Sequence, residues 1–258
     1  MTGQAVELAT QISSAFVSDE NNDGLLGLAF GKINTVQPQP QKTFFENIAD
    51  DLDVKAFTAD LDIDASGTYE FGKIDTSKYQ GELHTTPIDN SQGFWQFESS
   101  SYSIGGKDTQ NSNASPAIAD TGTSLMMVDD AVAEAYYAQI QGAQMSQQAG
   151  GYVYPCDADV PSFGVAIGDS GFMAHINGSD IEYARVGSNS CFGGVQGNSG
   201  QGLQIFGAVL LKQYFAVFNF GDETFGLALK AEAGSADSPE QQQGGASDGS
   251  PEGYYMVR

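Results

Sequence analysis

The segment with the clearest chemical character places one carboxylate in a tight polar turn. Residues 115–128 read Ser-Pro-Ala-Ile-Ala-Asp-Thr-Gly-Thr-Ser-Leu-Met-Met-Val, and Asp120 directly follows a predicted buried strand that ends at Ala119. Three hydroxyl side chains come next: Thr121, Thr123 and Ser124. Gly122 lacks a Cβ, so another backbone or a substrate can approach closely. Because a carboxylate surrounded by donors stays ionised even when partly buried, the pattern predicts an acid–base group at Asp120.

An Asp-Thr-Gly triplet alone is weak evidence for catalysis, because these residues are common in ordinary surface turns. The apolar-Asp-Thr-Gly-Thr-Ser-Leu frame around Asp120 is a much stronger signal. His84 and His175 are isolated from any serine or carboxylate motif, so a Ser-His-Asp triad is poorly supported.

Composition favours an all-β protein. The 258 residues are 40% hydrophobic, which suits one large domain or two small ones. They include 32 Gly, 16 Phe and 11 Tyr and few long periodic helices, as in proteins with many strands and turns. A net charge of −23 argues against nucleic acid or an anionic membrane as a partner. The excess of acidic residues is compatible either with solubility alone or with function at low pH.

Cys156 and Cys191 are the two cysteines of the chain. A bridge between them would stabilise the fold by roughly 3–4 kcal/mol in the chain-entropy model, and two free buried thiols are the alternative. Neither CxxC nor Cys/His spacing is present, so no metal or other cofactor is expected. Asn113 and Asn177 stand in glycosylation acceptor patterns, which matter if the protein is secreted.

The elements that must position Asp120 are short and numerous. Gln-Ile-Phe-Gly-Ala at 204–208 indicates a buried strand with close backbone approach. Thr43 and Glu46 form a capping box that begins a packing helix, and a helix over 129–140 is predicted with Asp129 as its N-cap. A short helix is predicted at 209–213. Further strands are predicted at 57–63, 68–74, 94–97, 101–104, 152–156, 163–167, 173–176, 181–186, 214–220 and 225–229.

The two ends of the chain differ from its middle. Residues 1–18 alternate loosely, like an edge strand or a connecting segment, and residues 23–30 indicate a buried strand punctuated by glycine. From residue 233 the chain consists mainly of Gly, Ser, Gln, Glu and Pro. Residues 233–258 are therefore predicted to be a disordered low-complexity tail.

Several motifs together resemble the pepsin-like (A1) aspartic proteases. In the order of that family, they are Asp-Gly-Leu-Leu-Gly-Leu-Ala-Phe at 23–30, Asn-Ser-Gln-Gly-Phe-Trp at 90–95, Ala-Asp-Thr-Gly-Thr at 119–123, the cysteine pair, and Ile-Phe-Gly at 205–207. The resemblance covers about residues 3–230. Stretches at 34–38 and 150–153 are similar to the secreted fungal branch, the aspergillopepsin and penicillopepsin group.

This resemblance implies an all-β, bilobal acid protease that hydrolyses peptide bonds through an Asp-activated water, without a cofactor. Residues 1–30 would be a remnant of the first lobe and 31–232 the C-terminal lobe. Asp120 would be the second-lobe catalytic aspartate, and Cys156 and Cys191 the second-lobe disulfide. The resemblance places Ile118, Gly122, Thr123 and Ile205 along the substrate cleft, with Thr121 and Gly207 in supporting positions. Peptides or proteins would be the substrates, and the protein would be extracellular.

The sequence departs from the family pattern in two ways. The family uses two aspartates that share a proton, pepsin being the standard example, and this chain carries one Asp-Thr-Gly. The first-lobe motif and the flap tyrosine would precede Gly24, so the chain is expected to need a first lobe and to lack its own start, including a signal peptide. Ala208 stands where most relatives have aspartate, which is expected to alter the local field and pH profile without abolishing activity.

Two other functions are compatible with these residues. The chain could be an inactive peptide-binding remnant, or it could pair with a second copy so that two Asp120 residues form the dyad. The dimer is the weakest alternative, because single-lobe dimers of that type are much shorter. For the chain alone we predict no peptidase activity at acid pH, and aggregation or partial disorder over residues 1–30.

Overall fold

The computed structural model describes residues 3–18, 23–62 and 67–231. The end of the strand predicted at 57–63 and the whole predicted tail at 233–258 lie outside these ranges. Among the described residues, no helix is both long enough and apolar enough to span a membrane.

Strands dominate the described residues, which confirms the all-β class. In chain order, the strands are β1 (Ala56–Asp60), β2 (Thr68–Phe71), β3 (Tyr79–Pro87), β4 (Gln96–Phe97), β5 (Ser101–Ile104), β6 (Lys107–Gln110), β7 (Ala117–Ala119), β8 (Met126–Val128), β9 (Gln144–Ser146), β10 (Gly151–Tyr154), β11 (Phe163–Ala166), β12 (Met173–Ile176), β13 (Glu182–Gly187), β14 (Ser190–Gly193), β15 (Val195–Gly197), β16 (Gln204–Phe206), β17 (Tyr214–Asn219) and β18 (Thr224–Lys230).

The helices are few and short. The α-helices are α1 (Ser14–Ser18), α2 (Phe44–Ile48), α3 (Asp130–Tyr137) and α4 (Ala208–Leu211). Single 3-10 turns occur at Gly31–Ile33, Ala49–Asp51, Thr76–Lys78, Asn90–Gln92 and Gly178–Asp180.

The strands form four sheets. An antiparallel sheet has the order β2-β1-β17-β18-β3, and two four-stranded sheets have the orders β13-β14-β10-β9 and β12-β11-β5-β6. The fourth, which we call the mixed sheet, has the order β15-β8-β16-β7-β4. Within it, β16 runs parallel to β7 on one side and antiparallel to β8 on the other. The segment that joins β7 to β8 therefore crosses the end of β16, and this segment contains Asp120.

Aromatic side chains hold the mixed sheet against the antiparallel sheet. Phe97 of β4 stacks on Phe225 of β18 with ring centroids 5.1 Å apart. Trp95, just before β4, meets Phe218 of β17 edge to face at 5.2 Å. The indole Nε1 of Trp95 donates to the carbonyl of Leu28 at 3.0 Å. Trp95 is thus a buried core residue, and its polar edge fixes the approach of the N-terminal segment.

The predicted capping box is confirmed at α2. The Thr43 hydroxyl accepts from the Glu46 amide at 3.2 Å, and the Glu46 carboxylate accepts from the Thr43 amide at 2.9 Å. The same carboxylate also accepts from the Gly31 amide at 2.8 Å, so the cap anchors the segment before it. The helix buries Phe45 in the aromatic core.

The predicted strand over residues 23–30 is wrong. These residues form no strand, and the side chains of Leu25 and Leu26 are exposed. The described part of residues 1–18 likewise contains no strand, and α1 occupies Ser14–Ser18. A strand needs a neighbouring strand for its backbone groups, and within the described residues no strand pairs with these segments.

Six strands are absent from the sequence prediction: β3, β6, β8, β9, β14 and β15. Two of them, β6 and β9, are polar and lie at sheet edges, so backbone pairing rather than an apolar pattern defines them. Asp129 does occupy the N-cap position of α3, but its side chain makes no cap hydrogen bond.

Cys156 and Cys191 form a disulfide, which confirms the predicted bridge. Cys191 lies on β14 opposite Tyr154 of β10, so the bond reinforces an existing strand pair. Glu182 lies close to both sulfur atoms, but sulfurs joined in a disulfide are not thiolate ligands for a metal ion.

Candidate active site

The loop after β7 is held to β16 at several points. The Asp120 amide donates to the Phe206 carbonyl at 3.2 Å, and the Thr123 carbonyl accepts from the Ala208 amide at 2.7 Å. The Ser124 carbonyl accepts from the Val209 amide at 3.0 Å. The loop therefore closes over the end of β16 and the start of α4, and its backbone groups are satisfied by that contact.

Both oxygens of the Asp120 carboxylate accept hydrogen bonds from the loop. Gly122 N donates to Oδ1 at 2.9 Å, and Thr123 Oγ1 donates to Oδ2 at 2.7 Å. Of the three nearby hydroxyls, only that of Thr123 bonds to Asp120 within the described part of the chain. A carboxylate has about four acceptor sites, so a position remains for a water or another carboxyl group.

Burial raises the pKa of Asp120 above its ordinary value of 3.8, although the Thr123 hydroxyl and the Gly122 and Thr123 amides oppose the shift. The expectation that donors alone would keep this group ionised is therefore too simple. Burial outweighs them, because it removes water from the charged form. A carboxyl group with a raised pKa is easily protonated in acid solution, as one member of a proton-sharing pair must be.

Tyr69 is a neighbour of the site that sequence reasoning missed. Burial raises the pKa of its hydroxyl, a hydrogen bond with the Thr121 side chain opposes this, and the negative charge of Asp120 adds to it. Tyr69 reaches the loop from β2, at the edge of the antiparallel sheet. No local pattern signals this contact, because it depends on how two sheets pack.

The predicted cleft residues lie around the same loop. Ile118 pairs with Ile205 between β7 and β16, and Ile205 also pairs with Met127 of β8. Gly122, Thr123 and Ile205 are half-buried, whereas Ile118 is buried. The structure therefore brings these four predicted residues together with Asp120. Their role in lining a substrate cleft stays a prediction.

Gly207 supports the loop through the absence of a side chain. A Cβ at this position would lie 2.2 Å from the carbonyl oxygens of both Thr123 and Leu125. Backbone atoms cannot move away cheaply, so only glycine allows the loop to pack on the start of α4. The supporting role predicted for Gly207 thus has a steric basis.

Replacing Gly207 by Ala is expected to lower the free energy of unfolding by about 3 kcal/mol, because the new methyl group overpacks a fixed backbone. Urea unfolding followed by tryptophan fluorescence measures the change. Gly24→Ala is the matched control, since a Cβ there meets no atom within 4 Å. Equal stability of the Gly207→Ala variant and the parent would contradict the steric explanation.

The raised pKa of Asp120 makes a second prediction, about stability and pH. The folded state binds the proton more tightly than the unfolded state, so ionisation of Asp120 costs stability as pH rises from 3.8 through the folded pKa. Asp120→Asn is therefore expected to raise the melting temperature at pH 7, and the gain should vanish as pH falls below the unfolded value.

Asp108→Asn controls for the general effect of removing one negative charge, because Asp108 is exposed on the edge strand β6. Thermal unfolding from pH 3 to pH 7 compares both variants with the parent. If Asp120→Asn raises the melting temperature at pH 7 no more than Asp108→Asn does, burial does not destabilise the charged form of Asp120.

The two histidines do not take part in this site. The His84 ring stacks on Phe172 with centroids 4.2 Å apart, and the backbone of His175 hydrogen bonds to the Tyr214 hydroxyl. Neither histidine bonds to Asp120 within the described residues. Asp120 is thus the chemically distinctive group of the loop.

Comparison with known proteins finds similar sequences over most of the chain. The eukaryotic aspartyl protease family matches residues 1–230. Penicillopepsin-1 of Talaromyces stipitatus is 53% identical over 230 residues, covering 89% of this chain and 58% of that protein. Aspergillopepsin-1 of Aspergillus flavus is 51% identical over 231 residues, covering 89% of this chain and 56% of that protein. The chain thus spans a little over half the length of these relatives.

Proposed function

The chain belongs to the eukaryotic aspartyl protease family, and from this premise we propose that it provides one half of the active site of an acid endopeptidase. Asp120 is one of the two catalytic aspartates in this proposal. The other comes from a first lobe that the present residues do not supply. The observation that carries the proposal is the half-buried Asp120 carboxylate, whose oxygens are fixed by Gly122 N and Thr123 Oγ1.

The proposed reaction is the addition of water to a peptide carbonyl. One carboxylate takes a proton from the water as its oxygen bonds to the carbonyl carbon, and the protonated carboxyl gives its proton to the carbonyl oxygen. In the resulting tetrahedral diol, one hydroxyl gives its proton to the carboxylate that had protonated the carbonyl oxygen. The C–N bond breaks as the other carboxyl gives its proton to the amine that leaves. No metal or other cofactor enters these steps. The raised pKa of Asp120 supports its sharing a proton with a second carboxyl group.

Exposed apolar side chains support the need for a first lobe. Within the described residues 3–18 and 23–26, six of them are 51–89% exposed: Val6, Leu8, Ile12, Val17, Leu25 and Leu26. So much apolar surface in one stretch of chain is typical of a segment that a partner covers. We propose that these residues are a first-lobe remnant, which pairs with the remainder of that lobe.

The disulfide is evidence about the compartment in which the protein acts. Disulfides persist in oxidising compartments and are rare in the cytosol. Together with the relatives, the Cys156–Cys191 bond supports the proposal that the protein is extracellular and acts on peptides or proteins there.

The proposal is tested with a fusion, which we call the joined chain. It places the part of Talaromyces stipitatus penicillopepsin-1 that precedes the matched region before residue 1 of this protein. Secreted from a fungal host, the joined chain is expected to cleave a denatured protein at acid pH, whereas the chain alone is not. A joined chain that binds peptides but does not cut them would favour a non-catalytic lobe. Cleavage by the chain alone that Asp120→Asn abolishes would favour a homodimer.

A further inference from the structure

A polar cluster lies at the end of the mixed sheet opposite the Asp120 loop. Because β16 runs parallel to β7 and antiparallel to β8, both β7 and β16 begin at this end and β8 ends there. β15 runs parallel to β8 and also ends there. Three side chains hydrogen bond across these strand ends, and we call them the basal clamp: Asp129, Asn198 and Gln204.

Asp129 joins the two ends of the segment that carries Asp120. Its Oδ2 accepts from Ser115 N at 3.0 Å and from Asn111 Nδ2 at 2.9 Å, and its Oδ1 accepts from Asn198 Nδ2 at 3.2 Å. Ser115 lies just before β7 and Asp129 just after β8. The carboxylate that the sequence predicts as a helix cap therefore serves a different purpose, while the Asp129 carbonyl alone starts α3.

The other two members of the clamp are buried, and their side-chain nitrogens hydrogen bond to backbone carbonyls. Asn198 is 4% exposed, and its Nδ2 also donates to the Leu203 carbonyl at 3.2 Å. Gln204 is 3% exposed, and its Nε2 donates to the carbonyl of Ser115 at 2.7 Å. Buried polar groups of this kind are costly to leave without partners, so the network fixes the strand ends firmly.

We propose that Asp129 is a positioning residue that holds the Asp120 carboxylate in place through β7 and β8. Both strands are three residues long, so Ser115 lies only about 16 Å along the chain from Asp120. Such short strands have few hydrogen bonds of their own, and the clamp supplies the restraint at their far ends. The restraint on Asp120 is a structural inference that does not depend on the proposed function. Its effect on catalysis does depend on that function.

Amide hydrogen exchange of the full chain tests the proposal without peptidase activity. The reporters are the amides of Asp120 and Ala208, which bond to Phe206 and Thr123 across the loop. Asp129→Ala is expected to speed exchange at both about tenfold, since a charged hydrogen-bond acceptor is lost. Amides of β17, in the antiparallel sheet, should change much less. Asp129→Asn keeps an acceptor for Ser115 N and should restore most of the protection.

Two variants separate positioning from general destabilisation. Asp130→Ala removes the next carboxylate, which accepts from Ser199 N at 2.9 Å and holds no end of β7 or β8, so the reporters should be unaffected. Glu46→Ala breaks the capping box of α2 and should not act selectively at the reporters. If Asp129→Ala does not fold, Asn111→Ala, which removes one of the three bonds, should give a smaller but still selective rise.

An even rise across both sheets, or no rise at the reporters, would overturn the proposal. In the joined chain, Asp129→Ala should lower kcat about tenfold with little change in KM, and Asp129→Asn should recover most of it. A joined chain that does not cleave would overturn the proposed function and leave the exchange result intact.

Discussion

Asp120→Asn is expected to reduce kcat/KM of the joined chain about a thousandfold or more, because general acid–base catalysis by a carboxyl group contributes rate factors of this size. Asparagine keeps the shape of the side chain and an acceptor for Gly122 N, so the loop should remain folded. What is lost is the ability to take and return a proton. Initial rates of peptide hydrolysis at acid pH measure the effect.

Asp108→Asn is the matched control for this experiment. It removes the same charge from an exposed position on β6, so the rate should stay within about twofold of the parent. Residual activity of the Asp120→Asn variant above about a tenth of the parent would show that Asp120 is not a catalytic carboxyl group.

Loss of the disulfide is expected to lower the free energy of unfolding by roughly 3–4 kcal/mol and the melting temperature by about 10 °C. The bond closes a loop between residues 35 positions apart, so the reduced unfolded chain gains conformational freedom. Replacing both Cys156 and Cys191 by Ala gives the variant, and thermal unfolding with and without reductant gives the measurement.

The double alanine variant also serves as the control for reductant. Its melting temperature should not respond to reductant, whereas that of the parent should fall to a similar value. A parent that melts at the same temperature with and without reductant would contradict the stabilising role of the bond. Cys191 is fully buried, so part of the loss in the variant reflects removal of its sulfur from the core.

Local sequence signals predicted those parts of the fold that local interactions determine. The capping box of Thr43 and Glu46 is correct because both hydrogen bonds are made within four residues. The strand over 204–206 is correct because it is apolar and ends at a glycine whose missing side chain the packing requires. The Asp120 loop is likewise a compact motif whose residues contact one another.

Interactions between distant segments explain what the sequence did not predict. Residues 23–30 have a strand-like apolar pattern, but a strand forms only beside a neighbour. Asp129 has the residue type and position of a helix cap, yet the Ser115 amide and the Asn111 and Asn198 side chains engage its carboxylate instead. Tyr69 meets Thr121 only because two sheets pack together.

The departure at position 208 has a defined structural setting. Ala208 is the first residue of α4, and its amide donates to the Thr123 carbonyl in the Asp120 loop. The family resemblance implies a carboxylate at this position, and the methyl group of Ala208 leaves Asp120 without that negative charge. Asp120 should therefore ionise more easily than with that charge present, which shifts the acid limb of activity to lower pH.

The pH dependence of kcat/KM for the joined chain tests most directly whether Asp120 is half of a proton-sharing carboxyl pair. A pair of this kind is active only with one proton between its members, so two ionisations should appear as a bell-shaped profile in the acid range. A rate that keeps rising through neutral pH, or a profile unchanged by Asp120→Asn, would contradict the assignment.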